Sequence, residues 1–177
     1  LIDVDQHAAG INDFKRQLLM QFMYSSVGTV LAAGDVDADG LTDLLVGGDA
    51  ATPARIYRQE PGGTFKPIPG AAWQTGDTAT LAAALLTDLN ADGKIDLYLA
   101  YGGYGLWEAG TTALQDQLWL GDGKGGFVRA ELPAVNASAK SCVRAADVDG
   151  DGDMDLFIGG RIIPGRYPET PFSYMFL

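Results

Sequence analysis

Asp35-Val36-Asp37-Ala38-Asp39-Gly40-Leu41-Thr42-Asp43 is a sentence this chain writes three times. It returns as Asp88-Leu89-Asn90-Ala91-Asp92-Gly93-Lys94-Ile95-Asp96 and as Asp147-Val148-Asp149-Gly150-Asp151-Gly152-Asp153-Met154-Asp155. Oxygen-bearing side chains stand at positions one, three, five and nine, and glycine at six. Each copy then enters an apolar run: Leu44-Leu45-Val46-Gly47-Gly48, Leu97-Tyr98-Leu99-Ala100 and Leu156-Phe157-Ile158-Gly159-Gly160. A hard cation such as calcium takes about six to eight oxygens at roughly 2.3–2.6 Å. Alternate carboxylates on a tight loop can turn inward onto one such ion, and glycine at six permits the sharp bend. The repeat reads as a calcium loop feeding a β-strand.

The ligand sets follow from the register. They are Asp35, Asp37, Asp39, the carbonyl of Leu41 and Asp43; then Asp88, Asn90, Asp92, the carbonyl of Lys94 and Asp96. The third is Asp147, Asp149, Asp151, the carbonyl of Asp153 and Asp155. About three Ca²⁺ are expected, the second held most weakly because Asn90 removes a charge. An EF-hand would need a bidentate Glu at position twelve, where Val46, Leu99 and Ile158 stand instead. Asp-Gly clusters also make plain turns, but three in one register argue for a site.

Twelve of the 23 acidic residues lie in these loops, and the net charge is −11. Three calcium ions would bring the balance to about −5. The acidity argues against a nucleic-acid partner. Cys142 is the single cysteine, so no internal disulfide framework is possible. No apolar run is long enough to insert in a membrane. Weak calcium sites suit millimolar extracellular calcium, which places the protein outside the cell, at its surface or in a periplasm. No signal peptide is present and Leu1 is not Met, as in a processed or excised piece.

Hydrophobic content of 47% with 24 glycines and little helical periodicity predicts an all-β domain. The loops begin 53 and 59 residues apart, a spacing typical of propellers or solenoids. Strands are predicted at 29–33, 43–47, 55–58 and 65–68 in the first unit. The second unit predicts 80–86, 96–100, 117–120 and, after the glycine-rich hairpin turn 121–126, 127–131. The third predicts 141–145, 155–158 and 172–177, without a fourth strand. Four antiparallel strands per unit make a propeller blade. The division is residues 1–28 as a leading segment or part of a preceding blade, 29–70 as blade one, 71–133 as blade two and 134–177 as an incomplete blade three. This is a partial propeller of about two and a half to three blades.

On these residues the chain resembles the FG-GAP/VCBS repeats of integrin α-subunit propellers and of many exported bacterial proteins. Asn12-Asp13-Phe14-Lys15-Arg16-Gln17 and Gly159-Gly160-Arg161-Ile162-Ile163-Pro164-Gly165-Arg166-Tyr167-Pro168 resemble a bacterial branch that pairs VCBS repeats with an ASPIC/UnbV-type domain. The resemblance implies structural calcium in the Asp-rich loops. It also implies six to eight blades, so this chain is a fragment, or copies of it associate to complete a ring.

The long connections 101–115 and 161–171 lie at the opposite end of the blades from the calcium loops. Binding residues concentrate on such loops. Tyr101, Tyr104, Trp107, Glu108, Arg161, Arg166, Tyr167 and Glu169 are candidates for a protein or carbohydrate ligand; the alternative is aromatics packed over the blade ends with arginines paired to carboxylates. His7 has no ligand partner, Cys142 reads as a buried small hydrophobe, and Lys15-Arg16 as a solvated pair. Residues 13–24 carry weak helical spacing, and Asn136-Ala137-Ser138 fits a glycosylation sequon. Every clustered carboxylate belongs to a calcium loop, which favours adhesion, ligand capture or assembly over catalysis. The competing reading is the propeller part of a lyase or glycosidase, which would need a separate acid pair.

Overall fold

The computed structural model describes residues 2, 11–25, 28–48, 52–69, 80–105, 107–133 and 138–177. His7 and Asn136 lie outside them. Among the described residues, eleven strands form three antiparallel sheets. The first holds β1 (Val30–Gly34), β2 (Asp43–Gly47), β3 (Arg55–Glu60) and β4 (Thr64–Pro67) in chain order. The second repeats that order with β5 (Thr80–Thr87), β6 (Asp96–Gly102), β7 (Gln117–Gly121) and β8 (Phe127–Ala130). The third orders β9 (Ala139–Ala146), β10 (Asp155–Ile162) and β11 (Tyr174–Phe176). Each Asp repeat joins the first strand of a sheet to its second.

The sheets stack through their first strands, β1 against β5 and β5 against β9. The second strand then explains the apolar runs. All seven residues of β6 are buried, because both faces of the middle sheet are covered. Leu97, Leu99 and Tyr101 pack toward the first sheet with Val30, Ala32, Leu45 and Ile56. Tyr98 and Ala100 pack toward the third with Val143, Leu156 and Ile158. A strand covered on both faces loses polar alternation. In β2 only one face is covered, so burial alternates. Small residues let the stack close: a Cβ on Gly34 would lie 2.9 Å from that of Leu86, and the Leu81 N–H donates to the Gly48 carbonyl at 2.6 Å.

Several predicted strand ends are corrected, among them 172–177, which shortens to Tyr174–Phe176, and two that bear on the candidate ligand residues. β6 runs on to Gly102 and β10 to Ile162, so Tyr101 and Arg161 are strand residues rather than loop residues. In β10 the pairing continues past the glycines through a register shift at Gly159 and Gly160. A Cβ there would lie 2.7 Å from the Cys142 Sγ and 2.4 Å from the Phe172 carbonyl oxygen, so glycine keeps the bulge close-packed. The weak helical spacing at 13–24 yields one 3₁₀ turn, Asp13–Lys15, capped by Asn12, whose side chain accepts from the Phe14 N–H. Cys142 is half-buried rather than buried. Among the described residues no helix is long and apolar enough to cross a membrane.

Candidate metal centres

The three loops share one hydrogen-bond plan. Position one is the hub: Asp35 accepts from the N–H groups of Asp39 and Gly40, and Asp88 from those of Asp92 and Gly93. Asp147 accepts from Gly150 and Gly152. Position five turns the chain onward, because Asp39, Asp92 and Asp151 each accept from the N–H two residues later, on Leu41, Lys94 and Asp153. Glycine at six has φ of +84°, +81° and +98° in the three copies. Position four is left-handed too: Ala38 at +57°, Ala91 at +58° and Gly150 at +81°. An L-residue there costs roughly 1–2 kcal/mol, and glycine adds unfolded-state entropy of about 0.4–1 kcal/mol. Ala38→Gly is therefore expected to raise Tm by about 2 °C at this chain length, read by thermal melt. A fall in Tm would show the strain to be absent.

Position nine has a role the spacing alone did not reveal. Asp43 is fully buried, and its two oxygens accept from the Val36 N–H at 3.0 Å and the Gln59 N–H at 2.8 Å. Asp96 repeats this with Leu89 and Gly121, and Asp155 accepts from Val148. This carboxylate ties the loop to its own start and, in the first two sheets, to the third strand or its end. Burial pushes the Asp43 carboxyl above its ordinary range, against the pull of its two backbone donors.

The residues that converge are positions one, three and five. Asp35, Asp37 and Asp39 present oxygens within 4.8 Å of one another, as do Asp147, Asp149 and Asp151. In the first loop the Asp37 Oδ1 is buried without a hydrogen-bond partner, while its Oδ2 lies 3.4 Å from Arg58. A buried carboxylate oxygen left unpaired is costly unless a cation completes it. The donor set, all hard oxygens, fits calcium. The second loop differs. Asn90 takes position three, and the Lys94 ammonium sits 3.0 Å from Asp92, which holds that carboxyl below its ordinary range. A cation built into the loop competes with a metal ion.

The opposite end of the blades departs from the expected ligand face. Tyr101 and Tyr104 are core residues, buried to 3% and 0% exposure, and Trp107 packs onto the first core cluster. Tyr101 is drawn inward because β6 continues through it. Tyr104 is covered by Met20, Tyr24, Ile162 and Tyr167, and burial pushes its phenol upward. Glu108 pairs with Arg16 at 2.7 Å and Arg166 with Glu169 at 3.5 Å, while Arg161 lies over the Tyr24 ring. Arg16 is not a solvated residue. Its guanidinium is bound to three carbonyls of the connection after β6.

A buried ion pair escaped the sequence entirely. Lys140 in β9 lies 3.1 Å from Asp116, and both side chains are at most 1% exposed. Asp116 also accepts from the Tyr98 hydroxyl and the Tyr101 N–H, and Lys140 donates to the Leu114 carbonyl. Burial drives the Asp116 carboxyl up and the Lys140 ammonium down, and their mutual attraction opposes both shifts. A cleft of about 580 Å³ opens beside Asp116, lined also by Gln115, Arg129 and Glu131.

Antiparallel sheets stacked through their first strands, each entered through an aspartate loop, define a protein of β-propeller blades. Residues 35–99 and 88–158 match the FG-GAP-like repeat. The chain belongs to that family. No curated protein matches its sequence.

Proposed function

We propose that the chain is a calcium-stabilised β-propeller segment of an exported or cell-surface protein, acting through ligand binding, adhesion or assembly rather than catalysis. The observation that carries this reading is the buried, unpaired Asp37 Oδ1 amid the converging Asp35, Asp37 and Asp39. Asp35, Asp37 and Asp39 would hold one ion and Asp147, Asp149 and Asp151 a second. The Asn90 loop would take a third more weakly. A bound Ca²⁺ supplies charge neutralisation and a cross-link within the loop.

Binding rather than catalysis is supported by four of the described carboxylates outside the loops. Glu60, Glu108, Asp116 and Glu169 each face a lysine or arginine, which leaves them poorly placed as an acid–base pair. Assembly is supported by the outer sheet faces. Leu31 on the first sheet is 64% exposed, and Phe157 and its cross-strand neighbour Met175 are partly exposed on the third. Further blades of the parent protein, or a second copy, would cover them.

Calorimetric titration with calcium tests the metal reading. Two sites are expected to fill before a weaker third, and Asp39→Ala should remove one of the two. Absence of binding heat at millimolar calcium would overturn it.

A further inference from the structure

We infer that the connections following β6 and β10 form a socket for a peptide carrying an arginine followed by a primary amide, which this chain keeps shut with its own Arg16 and Gln17. The inference rests on the ligand-binding reading proposed above, and it names both the ligand chemistry and the control.

The arginine half of the socket is made largely of backbone. One nitrogen of the Arg16 guanidinium donates to the carbonyls of Tyr104 at 2.7 Å, Gly105 at 3.0 Å and Trp107 at 2.9 Å. The other terminal nitrogen meets Glu108 at 2.7 Å, and the group lies 5.1 Å from the Tyr104 ring centre. Carbonyls, a carboxylate and a ring face converging on a planar fork select arginine over the compact lysine ammonium. The amide half reads every atom of the Gln17 carboxamide. Its oxygen accepts from the Tyr104 hydroxyl and from the Tyr167 N–H at 3.1 Å. Its nitrogen donates to the carbonyls of Gly165 at 3.1 Å and Tyr167 at 3.4 Å.

The seat is shaped as well as polar. A Cβ on Gly105 would fall 2.5 Å from the Ile11 side chain, and one on Gly165 would lie 3.3 Å from the Arg16 guanidinium. Larger residues at either position would crowd the strap that fills it.

That strap is held by side chains more than by the fold. Residues 11–25 join no sheet, and the backbone bonds of Lys15, Arg16, Gln17 and Met20 stay within the segment. Met20 is buried, yet Leu18 and Leu19 are 88% and 85% exposed. A segment with so little burial opens at a small fraction of the global unfolding free energy. Opening exposes carbonyls already aimed at a guanidinium, and an external peptide of the same chemistry can take the place.

The test uses the full chain with calcium saturating. A fluorescent peptide Asn-Asp-Phe-Lys-Arg-Gln-Leu, the sequence of residues 12–18, is titrated by anisotropy into the native chain and into Arg16→Ala/Gln17→Ala. Binding to the variant is expected to be at least tenfold tighter than to the native chain. The same peptide carrying Arg16→Ala should bind at least tenfold more weakly. Equal binding of the two peptides, or none by the folded variant, would overturn the socket. Should the double variant not fold, Glu108→Lys serves instead, since the Glu108 side chain is 80% exposed. It should speed tryptic cleavage after Arg16 at least tenfold, and an unchanged rate overturns the strap. Failure of peptide capture beside intact calcium binding would sink the socket and leave the calcium reading standing.

Discussion

In millimolar calcium the chain is expected to melt about 10–20 °C higher than in EDTA. Ligand that binds only the folded state adds RT ln(1 + [L]/Kd), about 2.7 kcal/mol per site at a hundredfold excess. The loops of Asp35 and Asp147 together then contribute about 5 kcal/mol. At this length each kcal/mol moves Tm by about 2–4 °C. Without an ion, the carboxylates that lie within 4.8 Å of one another repel. The Asn90 loop adds little because Lys94 already neutralises Asp92. Asp151→Ala should lower Tm in calcium and leave the melt in EDTA almost unchanged. An equal loss in both conditions would show that Asp151 is only a turn residue. Coincident melts of the native chain in calcium and EDTA would remove the metal from the account altogether.

Local chemistry made the loops and the strands behind them legible. An aspartate hub accepting N–H groups three to five residues on is written within nine residues, and so is the glycine that bends the chain. The apolar run after each loop likewise marks its strand, and in β6 burial on two faces leaves no polar position. What depends on distant pairing was not legible. Tyr101 and Tyr104 stand in a stretch of glycines and aromatics that reads as an exposed loop. They are buried because β6 continues and because Met20, Tyr24 and Tyr167 close over them. Arg16 meets carbonyls some ninety residues away, and Gln17 meets Tyr167 across 150. Asn12 to Gln17 and Gly159 to Pro168, the two stretches quoted for the narrower resemblance, turn out to touch each other through Gln17. Position nine carries a further role: the spacing marks Asp43 as a ligand, and its oxygens also accept from the Val36 and Gln59 N–H groups. Only the sheet supplies the second of those donors.

Lys140→Met is expected to cost about 3–5 kcal/mol, a fall in Tm of roughly 10–15 °C, because it strands a buried charge. The methionine fills nearly the same volume, so the loss is electrostatic rather than a cavity. Asp116 keeps the Tyr98 hydroxyl and the Tyr101 N–H, but no cation remains within the contact that Lys140 provides at 3.1 Å. The effect reaches beyond one side chain. Lys140 lies on β9 and Asp116 precedes β7, so the pair fixes the third sheet against the second at the end away from the calcium loops. The pH dependence distinguishes this from simple loss of packing. Burial already raises the folded-state pKa of Asp116 above its unfolded value, and removing the ammonium raises it further. A group whose folded pKa is raised binds its proton first in the native state, so falling pH favours folding across the window between the folded pKa and the unfolded value near 3.9. The deficit of Lys140→Met relative to the native chain, measured in EDTA, should therefore shrink as pH falls through that window. A deficit below about 1 kcal/mol would show the pair to be dispensable. A larger deficit that stays constant with pH would assign the role of Lys140 to packing. Replacing both members, as Lys140→Met with Asp116→Leu, removes the stranded charge but leaves the Tyr98 hydroxyl and the Tyr101 N–H without their acceptor. The double variant should be less damaged than the sum of the two single ones, with a coupling of about 0.5–3 kcal/mol.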